Sequence, residues 1–522
     1  MRNLLRPPTE ALIRDLGSAM RAVLDATPLS GNHLRDLPFA VRDLSRMLTQ
    51  DRSQLARSYW INKRLLTAYC RYFLPWNLVR LSWLLPNLDL NVTAGDVILD
   101  LGSGPLTMPI ALWLAKPEWR RIPLTVVCAD IAPGPMAVGR DVFARLAGDS
   151  PWTIELRREP VDAALRGLAG QAKLITAANV VNEFKPSRET PLEKRLADFA
   201  ARTAARLAPD GRFLAVEPGT RLGGKLMATL RHAAFASHLV PEGPCPHWGA
   251  CPMLTERATG WCHFTHTPEA APKELAALTI RSKLEKHSLS LSCMLMRGAT
   301  EEEKARASRY LPALADDDLD EDFGTDEENF DDGTWGEEAE VWADAYAECW
   351  REAARERQVF VRVISDPIRI PDAPGAARYC CSDKGLVLAH GALRIPSGAA
   401  VAARWPERET RDAKTGALEI TVAAPETGDR ERSTRAKIPP HDRRPGGNGT
   451  KQAGQRAGRA QYERPNAGKK TSGTPAGDGT AKGWKTKRAN GVPHDSDGGS
   501  ESGAGSRKPG RPSSRKGAKE RS

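Results

Sequence analysis

The segment VILDLGSGPLT, residues 97–107, runs a continuous apolar stretch into an acid and then spaces two glycines before the next helix-forming residues. A buried strand that turns at once into a helix reads this way, and glycines at the turn let the backbone approach a ligand closely. Short apolar runs recur downstream at LTVVCAD (124–130), KLITAANVV (173–181) and RFLAVEP (212–218), separated by amphipathic segments. That alternation predicts an α/β domain whose strands are parallel and buried on both faces. SLSLSCMLMR (288–297) is expected to add a later strand to the same sheet.

Two acids stand at consecutive strand ends. Asp100 precedes Gly102 and Gly104, and Asp130 closes the second strand, where a carboxylate can accept hydrogen bonds from both hydroxyls of a ribose. A nicotinamide fingerprint would need a third glycine where Thr107 stands. The D-x-G-x-G pattern instead resembles class I S-adenosylmethionine-dependent methyltransferases, which implies a Rossmann-like sheet with Asp100, Gly102, Gly104 and Asp130 around the cofactor. Asn179, at the end of the fourth strand, is a further cofactor-binding candidate, or a cap for that strand. The following residues Val180 to Phe184 include Asn182 and Glu183 but not the Asn/Asp-Pro-Pro-aromatic motif of amino-methylating enzymes. The acceptor atom and the catalytic residues are therefore not readable.

The segment PCPHWGACPMLTERATGWCHF places Cys245, Cys251 and Cys262 within 18 residues, beside His247 and His263. Soft thiolates at such density suit zinc or an iron–sulfur cluster. A structural zinc would use three cysteines and one histidine here, whereas a cubane needs a fourth thiolate, for which Cys381 or its neighbour Cys380 is the candidate. Cys70, Cys128, Cys293 and Cys349 lie in apolar or helical patterns and read as buried free thiols.

Taken together, LDLGSGP, NVVNEF, VEPGT (217–220 with Val216), CPHWGAC and WCHF resemble the methyltransferase-like family associated with assembly of the mitochondrial small ribosomal subunit, and its bacterial relatives. The similarity covers about residues 60–395, excluding the acidic insertion. It implies a [4Fe-4S] cluster held by Cys245, Cys251, Cys262 and Cys381, with Cys381 four residues before Gly385, and binding to the small ribosomal subunit and its rRNA. Either an rRNA methyltransferase or a non-catalytic assembly factor retaining the fold satisfies that implication, with a zinc-stabilised methyltransferase for another substrate as a third reading. Leu106 stands where the family has a further glycine, so a side chain is expected where backbone would come closest to the cofactor.

Charge completes the layout. The chain carries a net +11, but residues 441–522 hold 19 Lys and Arg against 7 Asp and Glu, which leaves residues 1–440 about neutral. That Gly-, Ser- and Pro-rich tail cannot bury enough apolar surface to offset its ordering entropy, and reads as a disordered polycation able to contact nucleic acid. The expected organisation is a helical region over 1–90, a methyltransferase-like domain over 91–300 with a cysteine-rich insertion at 241–268, and an acidic flexible insertion over 301–345. A small β-rich module at 346–425, supplying the fourth ligand, and a basic tail at 426–522 complete it. No apolar stretch reaches the roughly 18 residues of a membrane span, and the N-terminal segment lacks a continuous apolar signal core. The expected compartment is reducing, a bacterial cytoplasm in preference to a mitochondrial matrix.

Overall fold

The computed structural model describes residues 3–49, 60–184, 190–255, 260–311, 334–354, 360–369, 376–392 and 395–422. All of these lie in one compact unit, Met1–Arg432. The expected disordered tail, and residues 312–333 of the expected acidic insertion, lie outside the described residues.

The described residues before the sheet are mostly helical. Helix α1 (Glu10–Ala26) is capped by Thr9, whose hydroxyl accepts from the Leu12 amide, and it buries Leu12, Leu16, Ala19, Met20 and Val23 on one face. Helix α2 (Gly31–Thr49) buries Leu37, Val41 and Leu44 in the same manner. Helix α3 (Lys63–Ala68) passes through a π-helical turn, Tyr69–Phe73, into α4 (Leu74–Leu84), which is apolar almost all round and correspondingly buried.

Strands β1 (Val97–Leu101), β2 (Leu124–Ala129), β3 (Trp152–Arg157), β4 (Ala172–Ala178) and β5 (Leu207–Pro218) are mutually parallel where they pair. Between them run α5 (Thr107–Ala115), α6 (Pro133–Ala147), α7 (Val161–Gly167) and α8 (Leu192–Arg206). Helix α9 (Arg221–Ala234) follows β5, and then come β6 (Leu239–Gly243), β7 (Phe264–His266), α10 (Lys273–Arg281) and β8 (Leu289–Gly298). The order is β3-β2-β1-β4-β5-β8-β6, and β8 is antiparallel to both β5 and β6. This parallel sheet with one reversed strand inserted next to the last is the class I methyltransferase topology that the sequence predicts. Two apolar cores flank it, one shared with the N-terminal helices and one under α7, α8 and α9.

Strand β8 has an unusual free edge. Its residues 295–298 pair with β6 and its residues 289–291 pair with β7, so the 20-odd residues joining β6 to β7 leave the sheet beside Ser292, Cys293 and Met294. That connection carries all three clustered cysteines.

Within the stretch expected to be a flexible acidic insertion, both flanks are helical: α11 (Glu301–Ala307), closed by a Thr300–Glu303 capping box, and α12 (Thr334–Ala354). The β-rich module follows as β9 (Phe360–Val363), β10 (Ile368–Arg369), β11 (Ala376–Ser382), β12 (Gly385–His390), β13 (Ala400–Ala402) and β14 (Leu418–Thr421), in the order β13-β9-β11-β12-β14 with β10 beside β11. The chain start ties it to the helical region, since the Leu4 amide donates to the Gly398 carbonyl and the Arg6 amide to that of Trp83.

Candidate functional site

At the carboxyl ends of β1, β2 and β4 the glycine loop is held by acids. Asp100 is buried, and its Oδ1 accepts from the Thr176 hydroxyl of β4 at 2.6 Å, while its Oδ2 is buried with no partner. Burial pushes its carboxyl up to about 7, against the opposing pull of the Thr176 hydrogen bond. Gly102 has φ +63°, and a Cβ there would meet a methyl of Val180 at 2.4 Å, so this position requires glycine on both counts. Asp130 accepts from the Gly104 amide through Oδ2 at 2.9 Å and from the Ala132 amide through Oδ1 at 2.8 Å. It therefore braces the loop, and each oxygen keeps lone-pair capacity for one more donor. Burial raises its carboxyl as well.

Leu106 departs from its expectation. It has φ +54°, the left-handed conformation that explains why glycine suits this position, yet its side chain is fully buried in the core shared with the N-terminal helices. It does not stand exposed on the loop. Asn179 also has positive φ, at +60°, and its amide donates to the Val216 carbonyl at 2.8 Å, which joins the ends of β4 and β5. Asn182 is turned to the interior: its amide donates to Oε1 of the fully buried Glu217 at 3.2 Å, and its side-chain amide donates to Oε2.

Two aromatic residues that the sequence reading missed lie near this end of the sheet. Trp60 and Tyr69 are in contact, with ring centroids 4.7 Å apart. The Trp60 carbonyl lies close to Gly134 at the start of α6. The Tyr69 hydroxyl lies within the fields of Glu183 and Asp130, and burial raises it above the usual phenol range. Tyr69 lies in the π-helical turn between α3 and α4, a feature the sequence does not announce.

The second site is a small cavity of about 30 Å³ between the open edge of β8 and the β-rich module. Cys245, Cys251, Cys262 and Cys381 all line it, with Cys293, Arg231 and Arg362. The β11 register separates the neighbouring cysteines. Cys381 stands opposite Arg362 of β9, and Cys380 opposite Val363, so the two thiols point to opposite faces. Cys380 packs with Val361, Val363 and Val387 in the core of the β-rich module. Cys293, read from sequence as an unremarkable buried thiol, is the fifth cysteine of the cavity.

Local packing explains how the loop reaches this place. Gly224 of α9 lies under it, where a Cβ would meet Trp261 at 2.8 Å. The Ser292 hydroxyl donates to the Cys262 carbonyl at 2.8 Å, and the His263 amide donates to the Ile364 carbonyl at 3.2 Å. His247 is buried with Nε2 3.2 Å from the Cys381 sulfur, and burial drives its imidazole down to about 3. Burial and the fields of Cys245, Cys381 and Cys251 raise Cys262 well above the usual thiol range, and Cys381 is raised in the same way. These thiols are therefore neutral on their own, and deprotonating them together would need a bound cation to offset the charge.

Among the described residues no three His, Cys, Asp or Glu side chains converge closely enough to hold a single metal ion. No helix among the described residues is long and apolar enough to cross a membrane.

No curated protein sequence matches the chain. Solved structures similar to it include an S-adenosylmethionine-dependent methyltransferase from Agrobacterium tumefaciens, at 12% identity over 43% of this chain and 63% of that one, with a TM-score of 0.28. TrmN from Thermus thermophilus is similar at 16% identity over 45% of this chain and 48% of its own, with a TM-score of 0.24. A methyltransferase from Pyrococcus furiosus shows 14% identity over 40% and 77%, also at 0.24. This chain thus spans less than two thirds of the Agrobacterium and Thermus proteins. Residues 92–290 match the family model described as mitochondrial small ribosomal subunit Rsm22, the family whose motifs the sequence resembles.

Proposed function

We propose that this protein is a small-ribosomal-subunit assembly factor that binds S-adenosylmethionine on its methyltransferase sheet and carries a [4Fe-4S] cluster on Cys245, Cys251, Cys262 and Cys381. The observation that carries the reading is the meeting of four cysteines, drawn from residues 245–262 and from β11, on one buried cavity wall. Asp100, with its buried unpartnered Oδ2, would receive the cationic end of the cofactor's methionine, Gly102 and Gly104 would give the backbone close access, and Asp130 would take the ribose on its remaining lone pairs. Asn179 stands at the same strand ends. Bound there, the cofactor supplies an activated methyl group, and the cluster ties the loop after β6 to the β-rich module, so that metal-binding energy is also folding energy.

The Rsm22 family description supports the ribosomal partner, and its mitochondrial designation favours the matrix over the bacterial cytoplasm that the sequence suggests. Docking on small-subunit rRNA, aided by the basic tail, is the role we favour over methyl transfer. Asn182, where an acceptor-facing side chain would be expected, is bonded inward to Glu217, and no amine-polarising motif accompanies it.

Calorimetric titration with S-adenosylmethionine and co-sedimentation with small subunits test this reading together. Saturable cofactor binding is expected, weakened at least tenfold by Asp130→Ala, through loss of a charge-assisted hydrogen bond of about 1.5–3 kcal/mol. Asp130→Ala should leave subunit association intact, and Cys262→Ser should abolish it. A wild-type protein that neither binds the cofactor nor sediments with the subunit would rule the proposal out.

A further inference from the structure

Two buried arginines line the cysteine cavity. Arg231 is 1% exposed and is among the largest fully buried side chains. Its Nη2 donates to the carbonyls of His247 at 3.1 Å and Gly249 at 2.7 Å, while Nε and Nη1 are buried with no hydrogen-bond partner. No carboxylate forms an ion pair with it among the described residues. Arg362 is 4% exposed, and it donates to the carbonyls of Pro244 at 3.0 Å and Gly398 at 2.7 Å. It is the direct cross-strand neighbour of Cys381, and the sulfurs of Cys245, Cys293, Cys262 and Cys381 are the groups whose negative charge would act on it.

A buried charge is costly unless an opposite charge or full hydrogen bonding offsets it. Arg231 satisfies part of its guanidinium with loop carbonyls and leaves the rest inside an apolar-walled cavity. Four thiolates around an oxidised [4Fe-4S] core of charge +2 carry a net −2, and one-electron reduction makes this −3. The two arginines match the first state in number, and by electrostatics they favour the second.

We infer that Arg231 and Arg362 are built-in counter-charges of an anionic iron–sulfur cluster, holding it in the fold and raising its reduction potential. The inference rests on the cluster reading above. It adds that the cavity is charge-matched to a dianion, and that the cluster's electron affinity is set by two buried arginines, one on α9 and one on β9.

The test uses the full chain purified without oxygen, as wild type and as Arg231→Met, Arg362→Met and the corresponding lysine variants. Iron per chain and the midpoint potential, followed by absorption and electron paramagnetic resonance, are the readouts. In each methionine variant the oxidised-to-reduced ratio at a fixed potential should rise at least tenfold, a shift of about 59 mV to more negative values for one electron. The lysine variants keep the charge but lose the two-carbonyl bracing, and should hold the cluster at a potential near wild type. Methionine variants that load fully with unchanged potential would overturn the inference while leaving the cluster itself standing. If the methionine variants do not load, the lysine variants decide: lysine variants equally empty would make the arginines loop braces only and also overturn it. A wild type without iron would instead refute the cluster reading on which the inference rests.

Discussion

His247 and Cys381 are 134 residues apart in the chain, and their Nε2 and Sγ atoms stand 3.2 Å apart in a buried contact. The contact joins the cysteine loop after β6 to the β-rich module, and it exists because β11 turns Cys381, and not Cys380, toward that loop. A one-residue register slip would exchange the two thiols between cavity and module core.

Replacing each cysteine separately reads this arrangement. Cys381→Ser should lose iron and lower the melting temperature, because it removes a proposed ligand. Cys380→Ser should retain iron and lose only a modest packing contribution in the module core. Iron analysis of the two purified variants gives the answer, and the opposite pattern would mean that the register in solution differs.

Asp100 gives a pH dependence with a definite sign. Its folded-state carboxyl titrates near 7 against 3.8 for the free side chain, so between those values the native protein keeps a proton that the unfolded chain has lost. Its contribution to stability is complete below about pH 4 and is lost as pH rises through about 7. Asp100→Asn removes that loss. The variant should melt a few °C above wild type at pH 8, with the gap closing toward pH 4, and should bind S-adenosylmethionine more weakly. Thermal melts of both proteins over pH 4–8 measure it, and parallel curves would contradict it.

Leu106 combines an unfavourable backbone conformation with a fully buried side chain. Leu106→Gly should relieve about 1–2 kcal/mol of left-handed strain but lose about 2–5 kcal/mol of core packing, for a net destabilisation. Because the side chain belongs to the core beneath the loop, cofactor affinity should change little. Denaturant unfolding and calorimetry separate the two effects. A large gain in affinity would show that Leu106 obstructs the site after all.

The parallel strands were legible because runs such as VILDL and LTVVCA are buried on both faces and so show no alternation to confuse with a surface strand. The glycine loop was legible for a similar local reason, since Gly102 answers to its own φ and to one neighbour, Val180. Cys380 and Cys381 could not be separated in sequence, because adjacent strand residues differ only in which face the pairing selects. Cys293 was passed over because its apolar strand gives no hint that the edge beside it is left open for the cysteine loop. Arg231 did carry a local signal, as a single arginine inside the apolar stretch LMATLRHAAF, but its meaning depends on a cavity assembled from three other segments. Trp60 and Tyr69 reach the strand ends only through tertiary packing of the N-terminal helices. The apolar periodicity from Val341 made the later part of α12 legible, whereas the capping box at Thr300 that opens α11 is hidden in the acidic run.

What the four cysteines hold is tested most directly by quantifying metal and labile sulfide in the full chain purified without oxygen. About four irons and four sulfides per chain, with broad absorption at roughly 400 nm, are predicted for a four-cysteine cubane. One zinc per chain, colourless and free of sulfide, would contradict it.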